Sequence, residues 1–159
     1  MRFSVPGGAK IAVRGGAWRC ARTALRNGWM HTGDGARMDD EGFVFIVDRM
    51  KDMIVSGGEN VYSLEVENVL QKHPAVASCA VIGIPDDTWG EAVHAVLVLK
   101  PGASVSAEQI QDHCKSLIAN YKCPRSVEFI GALPISGAGK VLKAKLRAPY
   151  WEGRERRIA

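Results

Sequence analysis

Between Asp48 and Glu67 the chain reads DRMKDMIVSGGENVYSLEVE, and the Gly57-Gly58 pair in its middle constrains the fold more than any other feature. Met53-Ile54-Val55 has the pattern of a short buried strand. The double glycine then forces a turn that only residues without a Cβ make cheaply. Ser63 is placed to cap a following helix with Val66, Val69 and Leu70 on its apolar face and Glu65 and Glu67 in its first turn. Pro74 predicts that this helix stops near His73. A turn so tight, flanked by charge, is either a structural hairpin or a surface that meets the backbone of a ligand.

A length of 159 residues sets the bounds. A hydrophobic content of 47% and a charged content of 24% are those of an ordinary soluble domain with one core. No apolar run is long enough to span a bilayer, and no leader of the secretory kind opens the chain. Cys20, Cys79, Cys114 and Cys123 show no CxxC spacing; buried free thiols and a cytoplasmic location are expected. The net charge of +4 is uneven, with Lys140, Lys143, Lys145, Arg147, Arg154, Arg156 and Arg157 clustered near the end. That cluster is either a patch for a polyanion or a solvated helix face.

Along the chain, residues 1–27 carry little pattern beyond Gly7-Gly8, Gly15-Gly16 and the run Ile11-Ala12-Val13. From Gly28 onward, Gly33, Gly35 and Gly42 mark turns and Phe43–Val47 reads as a strand. Val76–Ile84 and Glu91–Lys100 are strands joined by the loop Pro85–Gly90. Ser106 and Gln109 fit a capping box, and Ile110, Cys114, Leu117, Ile118 and Tyr121 recur at helical spacing. Val127–Ile130 is a last strand, with a short basic helix after Lys140. Strands and helices mix without strict alternation. The expected fold is α+β: a small mixed sheet of about three strands with helices packed on it, an N-terminal β-hairpin, and a β-rich segment before it.

Several site types fail on their residues. Gly137-Ala138-Gly139-Lys140 has Pro134 and Val141 where a phosphate-binding P-loop needs glycine and a hydroxyl. His31, His73, His94 and His113 share no ligand spacing, so no metal site is expected. No GxSxG turn is present. Five features remain, each with a plain structural alternative. Asp34, beside the Gly33 turn, can accept from a ribose diol or form an Asx-turn. Arg49 can bind ribose or phosphate oxygens or pair with Asp48. The Gly57-Gly58-Glu59-Asn60 turn can let a thin ligand pass or be a hairpin alone. Lys140 can bring charge to an anion or remain a solvated loop lysine. Trp89, in a polar loop, can stack on a base or cap the sheet edge.

In combination, GWMHTGD (Gly28–Asp34), DDEGFVF (Asp39–Phe45), the Asp48–Glu67 run, GIPDDTWG (Gly83–Gly90), YKCPR (Tyr121–Arg125) and the Leu133–Leu146 segment with Gly139-Lys140 resemble the C-terminal part of the adenylate-forming acyl- and aryl-CoA synthetases. The match runs over roughly residues 28 to 150, and the PYWEGRER stretch from Pro149 is similar to the tail of fatty-acyl or feruloyl-type CoA ligases. The resemblance implies residues 1–49 as the end of an N-terminal adenylation domain, 50–150 as a C-terminal lid domain and 151–159 as a basic tail.

The resemblance also implies roles. Asp34 would hold the ribose hydroxyls of ATP or acyl-AMP, with Arg49 assisting. Lys51 would be the hinge, and Lys140 the lysine of the adenylation step. Gly57, Gly58, Glu59 and Asn60 would line a pantetheine channel, with Trp89 and Tyr121 meeting the CoA nucleotide and the basic stretch near the CoA phosphates. ATP or AMP and coenzyme A are the implied substrates. The acyl-adenylate and an N-terminal adenylation domain are the implied partners, with Mg2+ expected only together with that domain and neither nucleic acid nor a membrane span expected. The chain departs from the family pattern in lacking the Ser/Thr/Gly-rich phosphate loop and the aromatic-Gly-x-Thr-Glu motif. The expectation is therefore a part of an ATP-dependent acid–CoA ligase that is inactive alone; a non-catalytic remnant or binding module of the same fold is the alternative.

Overall fold

In the computed structural model, residues 2–4, 25–26, 29–31 and 33–154 are described. The glycine-punctuated runs between residues 5 and 24, Cys20, Gly28, Thr32 and the tail from residue 155 lie outside the described residues. The chain divides into two compact units, Met1–Met50 and Lys51–Ala159.

Unit 1 contains a three-stranded antiparallel sheet, order β1-β3-β2, from β1 (Arg2–Ser4), β2 (Leu25–Arg26) and β3 (Trp29–His31). A hairpin of β4 (Asp34–Met38) and β5 (Val44–Arg49) follows. Its turn is built on Asp39, whose carboxylate accepts the amides of Glu41 and Phe43 at 3.1 and 2.9 Å. Phe43 closes that turn, so the strand predicted over Phe43–Val47 begins one residue later. It also runs further, to Arg49, which stands opposite Asp34 in the register.

Unit 2 is a five-stranded mixed sheet. The order is β10-β9-β6-β7, with β8 on the other edge of β9. Here β6 is Ile54–Ser56, β7 Glu59–Val61, β8 Val76–Asp86, β9 Gly90–Leu99 and β10 Ser126–Phe129. β9 is antiparallel to β8 and parallel to β10, and the Gly57-Gly58 hairpin joins the same sheet through the Ser56–Gly90 pair.

Both faces of β9 are covered, which is why its sequence is a continuous apolar run and not an alternating one. Val81, Val93, Ala95 and Leu97 pack with Ile54, Val61 and helices α1 (Ser63–Leu70) and α2 (Ala107–Lys115). On the opposite face, Ala80, Ile82 and Val96 pack under Leu133, Ile130, Val141, Leu146 and Tyr150. The C-terminal segment is thus the second layer. It contains helix α3 (Lys143–Arg147) and a 3-10 turn, Ala148–Trp151.

The α2 capping box forms as predicted, with Ser106 Oγ accepting from the Gln109 amide at 3.2 Å and Gln109 Oε1 from the Ser106 amide at 2.9 Å. The other helix ends differ from expectation. The N-cap of α1 is Tyr62, with no side-chain cap, and Ser63 is buried in the first turn. Its hydroxyl accepts instead from Lys143 Nζ at 2.7 Å. α1 ends at Leu70, and turn bonds such as His73 N–H to Leu70 O carry the chain to Pro74. α2 stops at Lys115, so Leu117 is exposed and Tyr121 sits in a separate 3-10 turn, Asn120–Lys122.

Candidate functional site

Unit 1 brings Asp34 and Arg49 together. Facing each other across β4–β5, they place Arg49 Nε 3.7 Å from Asp34 Oδ1. The Asp48 carboxylate accepts the Arg49 backbone amide at 2.8 Å. Gly33, with φ of 77°, gives the left-handed step into β4. The Asp34 side chain is about a fifth exposed and the Arg49 side chain more than half. A carboxylate and a half-exposed guanidinium on one small surface suit a vicinal diol or a phosphate ester.

Unit 2 gathers Gly57, Glu59, Trp89 and Tyr121 of the expected residues around a concavity of about 580 Å3, whose lining also includes Lys115 and Arg125. Gly57 and Gly58 have φ of 61° and 84°, and their turn joins Ser56 directly to Glu59. Two successive left-handed residues make the primed hairpin turn that the strand twist favours. The turn is therefore a tight hairpin and also a wall of the concavity. A Cβ on Gly57 would lie 2.5 Å from Cε3 of Trp89, whereas one on Gly58 would meet nothing within 4 Å. Gly58 and Asn60 belong to the hairpin but do not line the concavity.

Trp89 is held by the loop beneath it. The Asp86 carboxylate accepts the amides of Thr88 and Trp89, both at 2.9 Å, and these bonds lower its pKa. The Trp89 carbonyl accepts from the Gly57 amide at 2.9 Å. Arg125 stacks on the indole with its guanidinium carbon 4.7 Å from the ring centroid. The turn carrying Tyr121 is fastened to α1 by Lys122, whose ammonium reaches both Glu65 oxygens at 2.7 and 2.8 Å. That bond holds the lysine pKa above its usual value. Aromatic faces beside two cations suit a nucleotide with its phosphates.

Lys140 stands elsewhere on the unit and does not line the concavity. Its turn is closed by the Ile135–Val141 bridge. The Ser136 amide donates to the Lys140 carbonyl at 2.8 Å, and the Lys140 amide to Ser136 Oγ at 3.2 Å. Gly139, at φ 75°, makes the reversal, and Lys140 is exposed.

Three of the cations that follow it are in ion pairs. Lys143 reaches Glu67 at 2.7 Å, with both side chains 16% exposed, Arg147 reaches Asp52 at 2.8 Å, and Arg154 reaches Asp87 at 3.0 Å. Lys143 and Arg147 are thus drawn into low-exposure pairs, whereas Lys140, Lys145 and Arg154 stay exposed. Glu67 sits in the middle of α1, paired with Lys143, and not in the first turn. Among the described residues no group of three or more His, Cys, Asp or Glu side chains could hold a metal.

Residues 65–140 match the family model for the AMP-binding enzyme C-terminal domain. This chain carries that domain. A feruloyl-CoA synthase of Amycolatopsis is 48% identical over 126 residues, which are 79% of this chain and 26% of that protein. A medium/long-chain-fatty-acid–CoA ligase of Mycobacterium tuberculosis is 44% identical over 157 residues, 92% of this chain and 27% of the ligase. Among solved structures, the o-succinylbenzoate CoA synthetase of Bacillus subtilis, in complex with its acyl-adenylate, superposes with a TM-score of 0.73. It has 44% identity over 79% of this chain and 25% of that one. The chain spans about a quarter of the length of the relatives it matches.

Within this AMP-binding enzyme C-terminal domain, the α+β fold with its small mixed sheet is the expected one. Sequence reasoning did not single out Arg125 and Lys115 as site residues. Arg125 stood in the YKCPR motif but carried no signal of its own, because its stacking partner lies on another segment. Lys115 is the last residue of α2, and its ion pair with Asp112 at 2.9 Å gives it the look of an ordinary helix surface. No helix among the described residues is long and apolar enough to cross a membrane.

Proposed function

We propose that this chain supplies the lid part of an ATP-dependent acid–CoA ligase acting on aryl or fatty carboxylates. The observation that carries the reading is Lys140. It is exposed on a rigidly bonded turn, while Lys143 and Arg147 just beyond it are neutralised in ion pairs. An ammonium held this way can be delivered to a reaction without losing a structural partner.

In the first half-reaction a carboxylate oxygen attacks the α-phosphorus of ATP, and the bond to pyrophosphate breaks. Two anions must approach, and Lys140 offsets their repulsion as charge develops in the transition state. Asp34 accepts from the ribose hydroxyls, and Arg49 beside it assists. The backbone at Lys51 is the hinge about which the lid turns. In the second half-reaction the thiol of CoA attacks the acyl carbonyl and AMP leaves. Gly57–Asn60 lines the path of the pantetheine, with Trp89 and Tyr121 beside the CoA nucleotide. The separation of Lys140 from the Trp89 concavity supports this division, since each half-reaction uses a different surface of one lid.

The phosphate loop, the acyl pocket and Mg2+ belong to an N-terminal adenylation domain as partner. The three described cysteines are free thiols, and burial pushes Cys79 and Cys114 up to about 12, which fits the reducing cytoplasm proposed for the protein.

ATP–pyrophosphate exchange tests the reading. The chain alone is expected to show none. Added to the N-terminal adenylation domain of a feruloyl-CoA synthase, it should raise ferulate-dependent exchange above that of the added domain. Exchange by the chain alone contradicts the reading, and CoA binding without exchange in either mixture favours a binding module instead.

A further inference from the structure

The backbone leaves unit 1 and enters unit 2 between two hydrogen bonds. On one side, the Met50 amide donates to the Gly33 carbonyl at 2.8 Å, which ties it to the β4–β5 hairpin. On the other, the Lys51 carbonyl accepts from Arg147 Nη1 at 3.1 Å. Nη2 of the same guanidinium reaches the Asp52 carboxylate at 2.8 Å. Arg147 and Asp52 side chains are 14% and 18% exposed, so water and salt screen the contact weakly. Between the Met50 amide and the Lys51 carbonyl lie only the φ and ψ angles of two residues. These four torsions can turn with neither bond broken. A torsion beyond them would pull Asp52 off Arg147 and break a charge-assisted pair.

We propose that Arg147 is a positioning residue that fastens the first backbone of unit 2 to α3 and so confines the pivot between the units to Met50 and Lys51. Its use in turnover rests on the ligase reading above; its geometry does not. The guanidinium Nε is buried without a partner among the described residues, so the two Nη groups alone hold the contact. α3 in turn is continuous with the Lys140 turn, because the Leu142 amide donates to the Pro134 carbonyl at 2.8 Å and Lys143 is locked to Glu67 and Ser63. A rotation at the pivot therefore reaches Lys140 with no slack segment in between. Such transmission matters because a misplacement of about 1 Å costs on the order of 100-fold in rate.

Backbone 15N relaxation of the full chain tests the clamp without calling on any ligand or chemistry. In the wild type, Asp52 should share the rigid value of β8 and β9, an order parameter of about 0.85, with a drop only at Met50 and Lys51. In Arg147→Gln the Asp52 value should fall below about 0.6 while β8 and β9 keep theirs. Arg147→Lys should move in the same direction, since an ammonium lacks the planar fork that spans carboxylate and carbonyl. Asp52 keeping the rigid value in both variants would overturn the proposal. An equal loss across β8 and β9 would also overturn it, by reducing Arg147 to a general stabiliser. A failure of the ligase reading shows itself in the exchange assay, which this measurement does not share.

Discussion

At the scale of single residues, the difference between Gly57 and Gly58 is instructive. Both have positive φ, so alanine at either costs roughly 1–2 kcal/mol of backbone strain. Only Gly57 lies under an indole. Gly57→Ala must push Trp89 aside and undo the Arg125 stack, whereas Gly58→Ala leaves both in place. The expected outcome is a shifted Trp89 indole resonance and CoA binding about tenfold weaker in Gly57→Ala than in Gly58→Ala, the weakening corresponding to about 1.4 kcal/mol. Titration with CoA, followed by NMR, checks it. The lysines differ in the same way. Lys143→Met removes the ammonium from a largely buried Glu67 that still accepts the Val81 amide, and should lower the unfolding free energy by about 1–3 kcal/mol. Lys140→Met, at an exposed turn, should change it by less than about 0.5 kcal/mol. Urea unfolding of the two variants separates a structural lysine from one kept for another purpose.

Among the elements, β9 carries a buried polar network within its apolar run. His94 Nδ1 lies 2.7 Å from Ser126 Oγ, and its Nε2 lies 3.1 Å from the Tyr150 hydroxyl, which donates to Glu128 at 2.9 Å. The last turn of the described chain is thereby joined to β9 and β10. Burial lowers the His94 pKa below 6.5, and Glu128 only partly offsets this. Between the folded and unfolded pKa values the unfolded chain binds more protons, so stability is full above 6.5 and is lost as pH falls through 6.5 toward the folded value. Urea midpoints measured from about pH 7 to pH 5 should fall. His94→Asn should show a shallower fall, the remainder coming from His73, which burial and His113 also lower.

Elements with a local cause were legible in the sequence. The α2 cap lies within four residues, and the Gly57-Gly58 hairpin is a property of two glycines. What escaped reading had a distant cause. Ser63 looked like a cap because its actual partner, Lys143, sits far along the chain. The apolar spacing beyond Lys115 looked helical because Ile118 packs against the core from outside the helix.

For the whole molecule, the order of motifs from Asp34 to Lys140 made the family readable, whereas the contents of the site were less so. The Trp89 concavity is assembled from the hairpin, the β8–β9 loop, α2 and the Tyr121 turn, and no local spacing announces that Arg125 will stack there. The acids that pair with Lys143, Arg147 and Arg154 of the basic cluster are equally distant in sequence, on α1, in the first residues of unit 2 and on the β8–β9 loop.

In the proposed function, one lid carries two separate surfaces, one for each half-reaction. The most direct test of that division is Lys140→Ala in the mixture with an N-terminal adenylation domain, with both half-reactions measured. ATP–pyrophosphate exchange should fall by at least about 100-fold, with thioester formation from supplied acyl-adenylate and CoA within about twofold of wild type. Equal loss of both half-reactions, or exchange left intact, would contradict it.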